Sequence, residues 1–172
     1  MSITLSSASL PIFTTMLGNL SHCLDKALAN AAARKFDPNV LMTTRLAPDM
    51  LPFVVQVRAA CDIAKHGAAR LGALQAPVHA DDETTLEQLK ARIAVTLDYL
   101  ATVPASALDG REQAEITFPV GRDGTTRTML GEAYLKHWVL PNFFFHVTTA
   151  YALLRHNGVD LGKADYLLGT GS

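Results

Sequence analysis

Cysteine is scarce. The chain holds two, Cys23 and Cys61, with no CxxC pair, which excludes a disulfide framework and a cysteine-rich zinc site. They fall in different predicted helices and are expected to be reduced thiols. A marked excess of charge of one sign is absent too: 15 basic residues face 16 acidic ones, for a net charge of −1. No long Lys/Arg run concentrates a positive field, so nucleic acid is not an expected partner. The N-terminal "MSITLSSASLPIF" has neither the basic segment nor the long apolar run of a secretory signal, and the expected location is the cytoplasm. Serine elbows, phosphate-cradling glycine loops and dinucleotide fingerprints are missing; "GRDGTT" is short and lacks the P-loop lysine. Paired carboxylates at useful spacing do not occur. The "DDE" at 81–83 precedes a helix, where solvated acids are expected. There is no internal repeat and no low-complexity tail.

The stretch His137 to Leu154 has no formal charge and approaches transmembrane length. Its Pro141, Asn142, Thr148, Thr149 and two histidines complement lipid poorly, so a helix buried among helices is expected and a membrane partner is not.

What is present is apolar material in helical register. With 172 residues, of which 49% are hydrophobic, the chain is expected to form one domain over 1–172 around one core. Leu10, Phe13, Leu17, Leu20, Leu24 and Ala27 share a stripe at helical spacing, with Ser9 as the expected cap and Pro11 in the first turn. His22 lies off that stripe and is expected in solvent. Pro48 and Asp49 suit the first turn of a second helix ending near Gly72. Its buried face collects Phe53, Val54, Val57, Ala60, Cys61, Ala64, Ala68 and Leu71. Arg58, Asp62, Lys65 and His66 are expected on the opposite, outer side.

Thr85 and Gln88 form a capping box ahead of a third helix that ends before Pro104. Ile116, Phe118 and Val120 alternate with other residues, "GRDG" offers a turn and Pro119 suits an edge, so a short β-hairpin is expected between 114 and 130. A last helix begins near Glu132, is disturbed at Pro141 and ends at Gly158, a left-handed terminator. Tyr166 and Leu167 are expected to pack back on the body. The fold class is therefore all-α, a bundle with a hairpin insertion before the last helix.

Two blocks, "RLAPDMLPFVVQVRAACDIAKHGAARLG" and "LPNFFFHVTTAYALLRHNGVDLGKADYLLG", resemble an uncharacterised bacterial domain-of-unknown-function family within the DinB/YfiT-like superfamily. The likeness covers nearly the whole chain. It implies an up-down-down-up four-helix bundle, often a homodimer, and no known reaction. The wider superfamily includes metalloproteins and thiol transferases that hold a divalent metal with one histidine of the second helix and two of the last. Two ligands one turn apart need HxxxH spacing. Around His146 the matching positions are Asn142 and Ala150, neither an imidazole; His137 and His156 are off that face, and His66 is expected on the solvent side. No metal and no cofactor are expected.

The candidate site centres on His146, set among Phe143, Phe144 and Phe145. A helical projection puts it on the inner side with Asn142, Phe143 and Thr149. Either it is a neutral core histidine bonded to Thr149 or to a backbone carbonyl, or it is the polar group of a ligand pocket beside the small Ala150. Gln56 on the second helix and Arg45 at its entrance could reach the same ligand; a rim amide and a pairing of Arg45 with Asp49 are their bland counterparts. Three functional readings follow: a metal-free bundle holding a small apolar or amphipathic ligand, a DinB-like metal-dependent hydrolase or thiol transferase, and a purely structural homodimer. The residues do not decide whether the chain is an enzyme.

Overall fold

The computed structural model describes residues 3–121 and 123–169. Helix α1 runs over Leu10–Arg34, α2 over Phe53–Leu71, α3 over Leu86–Thr102 and α6 over Leu140–His156. The short α4 (Ala105–Leu108), a hairpin of β1 (Glu115–Pro119) and β2 (Thr126–Leu130), α5 (Gly131–Tyr134) and a π-helical turn (Leu135–Val139) lie between α3 and α6. Helix α7 (Lys163–Leu168) closes the described chain. α2 packs along α6 and α3, while α1 packs along α3, α6 and α7. None of the described helices is long and apolar enough to cross a membrane.

The α1 stripe expected from spacing is the core: Phe13, Leu17, Leu24 and Ala27 are fully buried, and Leu20 nearly so. Each large apolar side chain removed from water contributes about 1.5–3 kcal/mol before entropy is subtracted. Phe13 meets Phe143 of α6 edge to face at 5.1 Å, which joins the first and last long helices through favourable ring quadrupoles. Ser9 sits at the N-cap without making a side-chain cap bond. A preceding turn has captured its hydroxyl, which donates to Leu5 O at 2.6 Å.

α2 starts at Phe53, with Pro52 at its N-cap; Pro48 and Asp49 belong to the turn before it. Pro52 takes the extended conformation of an N-cap, with φ −70° and ψ 166°, and the helix begins directly after it, where the apolar run starts. The Thr85–Gln88 capping box is present in full.

β1 pairs antiparallel with β2, Thr117 opposite Thr128. Ile116 and Phe118 face the core. Arg122, in the expected GRDG turn, lies outside the described residues; beside it Asp123 Oδ1 accepts from Thr125 N at 3.1 Å. The disturbance expected at Pro141 takes the form of the π turn just upstream, where Leu140 N–H donates to Leu135 O five residues back. Pro141 has no N–H for the four-residue ladder, and a widened turn redistributes the freed carbonyls.

The outer side of α2 is not open. The connection between α2 and α3 lies across it, tied by charge. Arg92 of α3, 3% exposed, donates to Glu83 at 2.9 Å, to Ala80 O at 3.0 Å and to Asp62 at 2.9 Å, and pairs with Asp81 at 3.0 Å. Arg58 holds Glu83 at 2.6 Å. Lys65, 2% exposed, pairs with Asp62 at 2.9 Å. The acids at 81–83 are thus partly recruited into a buried network, because α3 contributes a cation that spacing along α2 cannot reveal. His22 also differs from expectation: it bonds Asp165 of α7 at 3.2 Å, and Lys26 joins the same carboxylate at 3.0 Å.

Candidate functional site

On α2, Ala59, Asp62, Ile63, His66 and Arg70 recur at three- and four-residue spacing and therefore line one face. Opposite them stand Trp138 of the π turn and Asn142 one turn later, and Pro119, Val120 and Gly121 close one side from the end of β1. Together they wall a cleft of about 450 Å³, within the range of small-molecule sites. An aromatic stack backs it: Tyr134 and Phe118 have ring centroids 4.7 Å apart, and Phe118 and Trp138 5.1 Å. This stack fixes the hairpin against the π turn. Local departures from α geometry of this kind recur at functional sites.

The charged groups of the cleft are unequally compensated. Asp62 Oδ1 receives both Lys65 and Arg92, each at 2.9 Å. Burial, reinforced by Lys65 and Arg70, holds His66 below the usual histidine range, so its imidazole is neutral at neutral pH. Arg70 donates to the hydroxyl of Tyr134 at 3.2 Å. That is a neutral partner, and among the described residues no carboxylate pairs with Arg70.

Of the residues expected around His146, Asn142 alone lines this cleft. His146 is half-buried and its Nδ1 lies 2.7 Å from Gln56 Oε1; Gln56 Nε2 in turn donates to Leu51 O at 2.9 Å. Thr149 does not bond His146. Its hydroxyl donates to Phe145 O at 2.6 Å, the local back-bond open to a threonine inside a helix. Phe143 is fully buried against Phe13. Arg45 is exposed and donates to Met50 O, not to Asp49. The structure therefore joins His146 with Gln56 and sets Thr149, Phe143 and Arg45 apart.

His66, expected in solvent, lines the cleft, and so do Arg70 and Trp138, which helical spacing alone does not single out. One signal was available: Trp138 and Asn142 are spaced i and i+4 across the proline at 141. That the outer face of α2 is roofed could not be read from α2 itself.

The donors do not suit a divalent metal. His66 shares the cleft with Asn142, whose amide oxygen is a poor substitute for imidazole, and with Trp138, whose indole nitrogen has no free lone pair. Asp62 is engaged by two cations, and Arg70 would repel a third. Among the described residues no cluster of three or more His, Cys, Asp or Glu side chains could hold an ion. The thiols are no nucleophiles: both cysteines are free and buried, and burial pushes Cys23 up to about 11 and Cys61 up to about 12.

A helix bundle with a hairpin folded against an α2–α6 cleft is the class this arrangement defines. The family described as Domain of unknown function (DUF1993) matches residues 5–167. A crystal structure of a DinB family member protein from Shewanella denitrificans is similar at 41% identity, covering 95% of this chain and 91% of that one with a TM-score of 0.86. No curated protein matches. The chain belongs to the DUF1993 family, within the DinB-like superfamily.

Proposed function

We propose that the chain is a single-domain, cytoplasmic, metal-independent bundle of up-down-down-up order that holds a small amphipathic ligand between α2 and α6. The observation that carries this is the cleft of about 450 Å³, with Ile63, Trp138, Pro119 and Val120 as apolar wall and His66, Arg70 and Asn142 as polar points. Apolar surface supplies affinity and a few placed polar groups supply orientation. His146 belongs to the support of this wall, fixing α6 on α2 through Gln56.

Trp138 is the single tryptophan of the chain, so its fluorescence reports on the cleft directly. Amphipathic probes such as 4-phenylbutyrate are expected to shift its emission saturably, and Ala59→Phe, which fills the cleft, to abolish the shift. Elemental analysis is expected to find no stoichiometric metal. Zinc, nickel or iron near one per chain, lost in His66→Ala, would favour the metal-dependent hydrolase or transferase instead.

A homodimer is the second proposal. A groove of about 380 Å³ between α1, α6 and α7, lined by Pro11, Ile12, Met16, Phe144, Tyr166 and Leu167, is the apolar face on which another copy would seat. Light scattering is expected to return about 37 kDa, twice the chain mass of 18.5 kDa; the monomer mass at micromolar concentration would remove it.

A further inference from the structure

We infer that the α2–α6 cleft selects a small organic anion, a carboxylate carried on an apolar or aromatic body, with Arg70 as the group that recognises the charge. The inference rests on the ligand-binding reading above and specifies its ligand. It comes from the balance of charge around the cleft. On α2, Asp62 is matched by Lys65 and Arg92 on a single oxygen, which leaves it weak as a cation receptor. His66 is neutral at neutral pH, held so by burial and by the cations beside it. Asn142 on α6 and Trp138 on the π turn are uncharged, as are Pro119, Val120 and Gly121 at the end of β1.

Arg70 remains as the cation whose bonded partner is neutral, the Tyr134 hydroxyl at 3.2 Å. A guanidinium has five N–H donors, and one such bond leaves the fork free for a carboxylate. Tyr134 is 1% exposed and set in the aromatic stack, so the bond to its hydroxyl orients Arg70 without neutralising it. The apolar wall of Ile63, Trp138 and Pro119 then receives the body of the ligand. An amine of the same shape would meet uncompensated positive charge, and a neutral amide would keep one bond from the guanidinium but lose the ion pair and the bidentate fork.

The experiment compares three probes of one shape, 4-phenylbutyrate, 4-phenylbutyramide and 4-phenylbutylamine, by the emission of Trp138 at neutral pH and low salt. The acid is expected to bind about tenfold more tightly than the amide, with the amine weaker still. Arg70→Gln is expected to bring the acid down to the level of the amide, weakening the acid far more than the amide, while Arg70→Lys keeps a preference for the acid. Acid and amide binding equally in the parent protein would overturn the inference and leave the ligand-binding reading standing. So would the amine binding most tightly. Loss of acid and amide alike in Arg70→Gln would overturn it as well, assigning Arg70 to holding the wall. If none of the three probes shifts the emission, the ligand-binding reading itself falls and the inference with it.

Discussion

His146 Nδ1 and Gln56 Oε1 lie 2.7 Å apart and join α6 to α2. Because Gln56 is 1% exposed and its amide nitrogen is already given to Leu51 O, the imidazole is the donor and carries its proton on Nδ1. The pair connects two helices that wall the cleft, and it sits in the chain's most apolar stretch.

Replacing His146 by Leu strands the oxygen of Gln56 and is expected to cost about 1–3 kcal/mol in denaturant unfolding. The loss should persist in a Thr149→Val background, since Thr149 bonds Phe145 O instead. It should shrink in a Gln56→Leu background. Full additivity with Gln56→Leu would contradict the pairing.

Stability should fall as the solution is acidified, in two stages. His66, His79 and His146 all have folded values below the ordinary 6.5, chiefly through burial, so the unfolded chain binds protons first. Their contribution is complete above 6.5 and lost as the pH drops from 6.5 toward the folded values. Asp165 is held at about 2, against 3.8 unfolded, by the Gly162 N–H first and then by Lys26 and His22. Its contribution is present above 3.8 and lost as the pH falls through about 2. Chemical denaturation across pH 7 to 5 should show the first loss, smaller in His146→Leu; a flat profile would count against half-buried neutral histidines.

Arg92→Met should destabilise by about 1–3 kcal/mol, because it takes one of two cations from Glu83, which keeps Arg58, and one of two from the half-buried Asp62, which keeps Lys65. Asp81, 64% exposed on its side chain although it touches the same arginine at 3.0 Å, should cost under about 1 kcal/mol as Asp81→Asn. Thermal melts of the two variants decide this, together with proteolysis of the segment 73–85, which Arg92 ties down.

Two glycines should respond in opposite directions. A Cβ at Gly131 would stand 2.2 Å from Arg111 O, a backbone atom that cannot yield cheaply where Gly131 N–H also bonds Ala114 O. Gly131→Ala should therefore cost more than about 2 kcal/mol. A Cβ at Gly18 meets nothing within 4 Å, so Gly18→Ala should stabilise α1 by about 0.5–1 kcal/mol. Equal melting temperatures for the two variants would contradict both.

The identity of the secondary elements was legible in the chain because it is written in local spacing. The stripe from Leu10 to Ala27, the Thr85–Gln88 cap, the alternation of Ile116 and Phe118 and the stop at Gly158, whose φ is +86°, each involve residues within a turn or two of one another. The tertiary structure alone decided what covers each face. Arg92 reaches Asp62 thirty residues away, which turns the polar side of α2 from a solvent face into a half-buried one. Gln56 reaches His146 across ninety residues, and the nearby Thr149 is diverted to its own helix backbone. The cleft needs β1, the π turn and α2 together. A helical wheel records which side chains share a face, whereas the packing of distant elements determines whether that face meets water, another helix or a ligand.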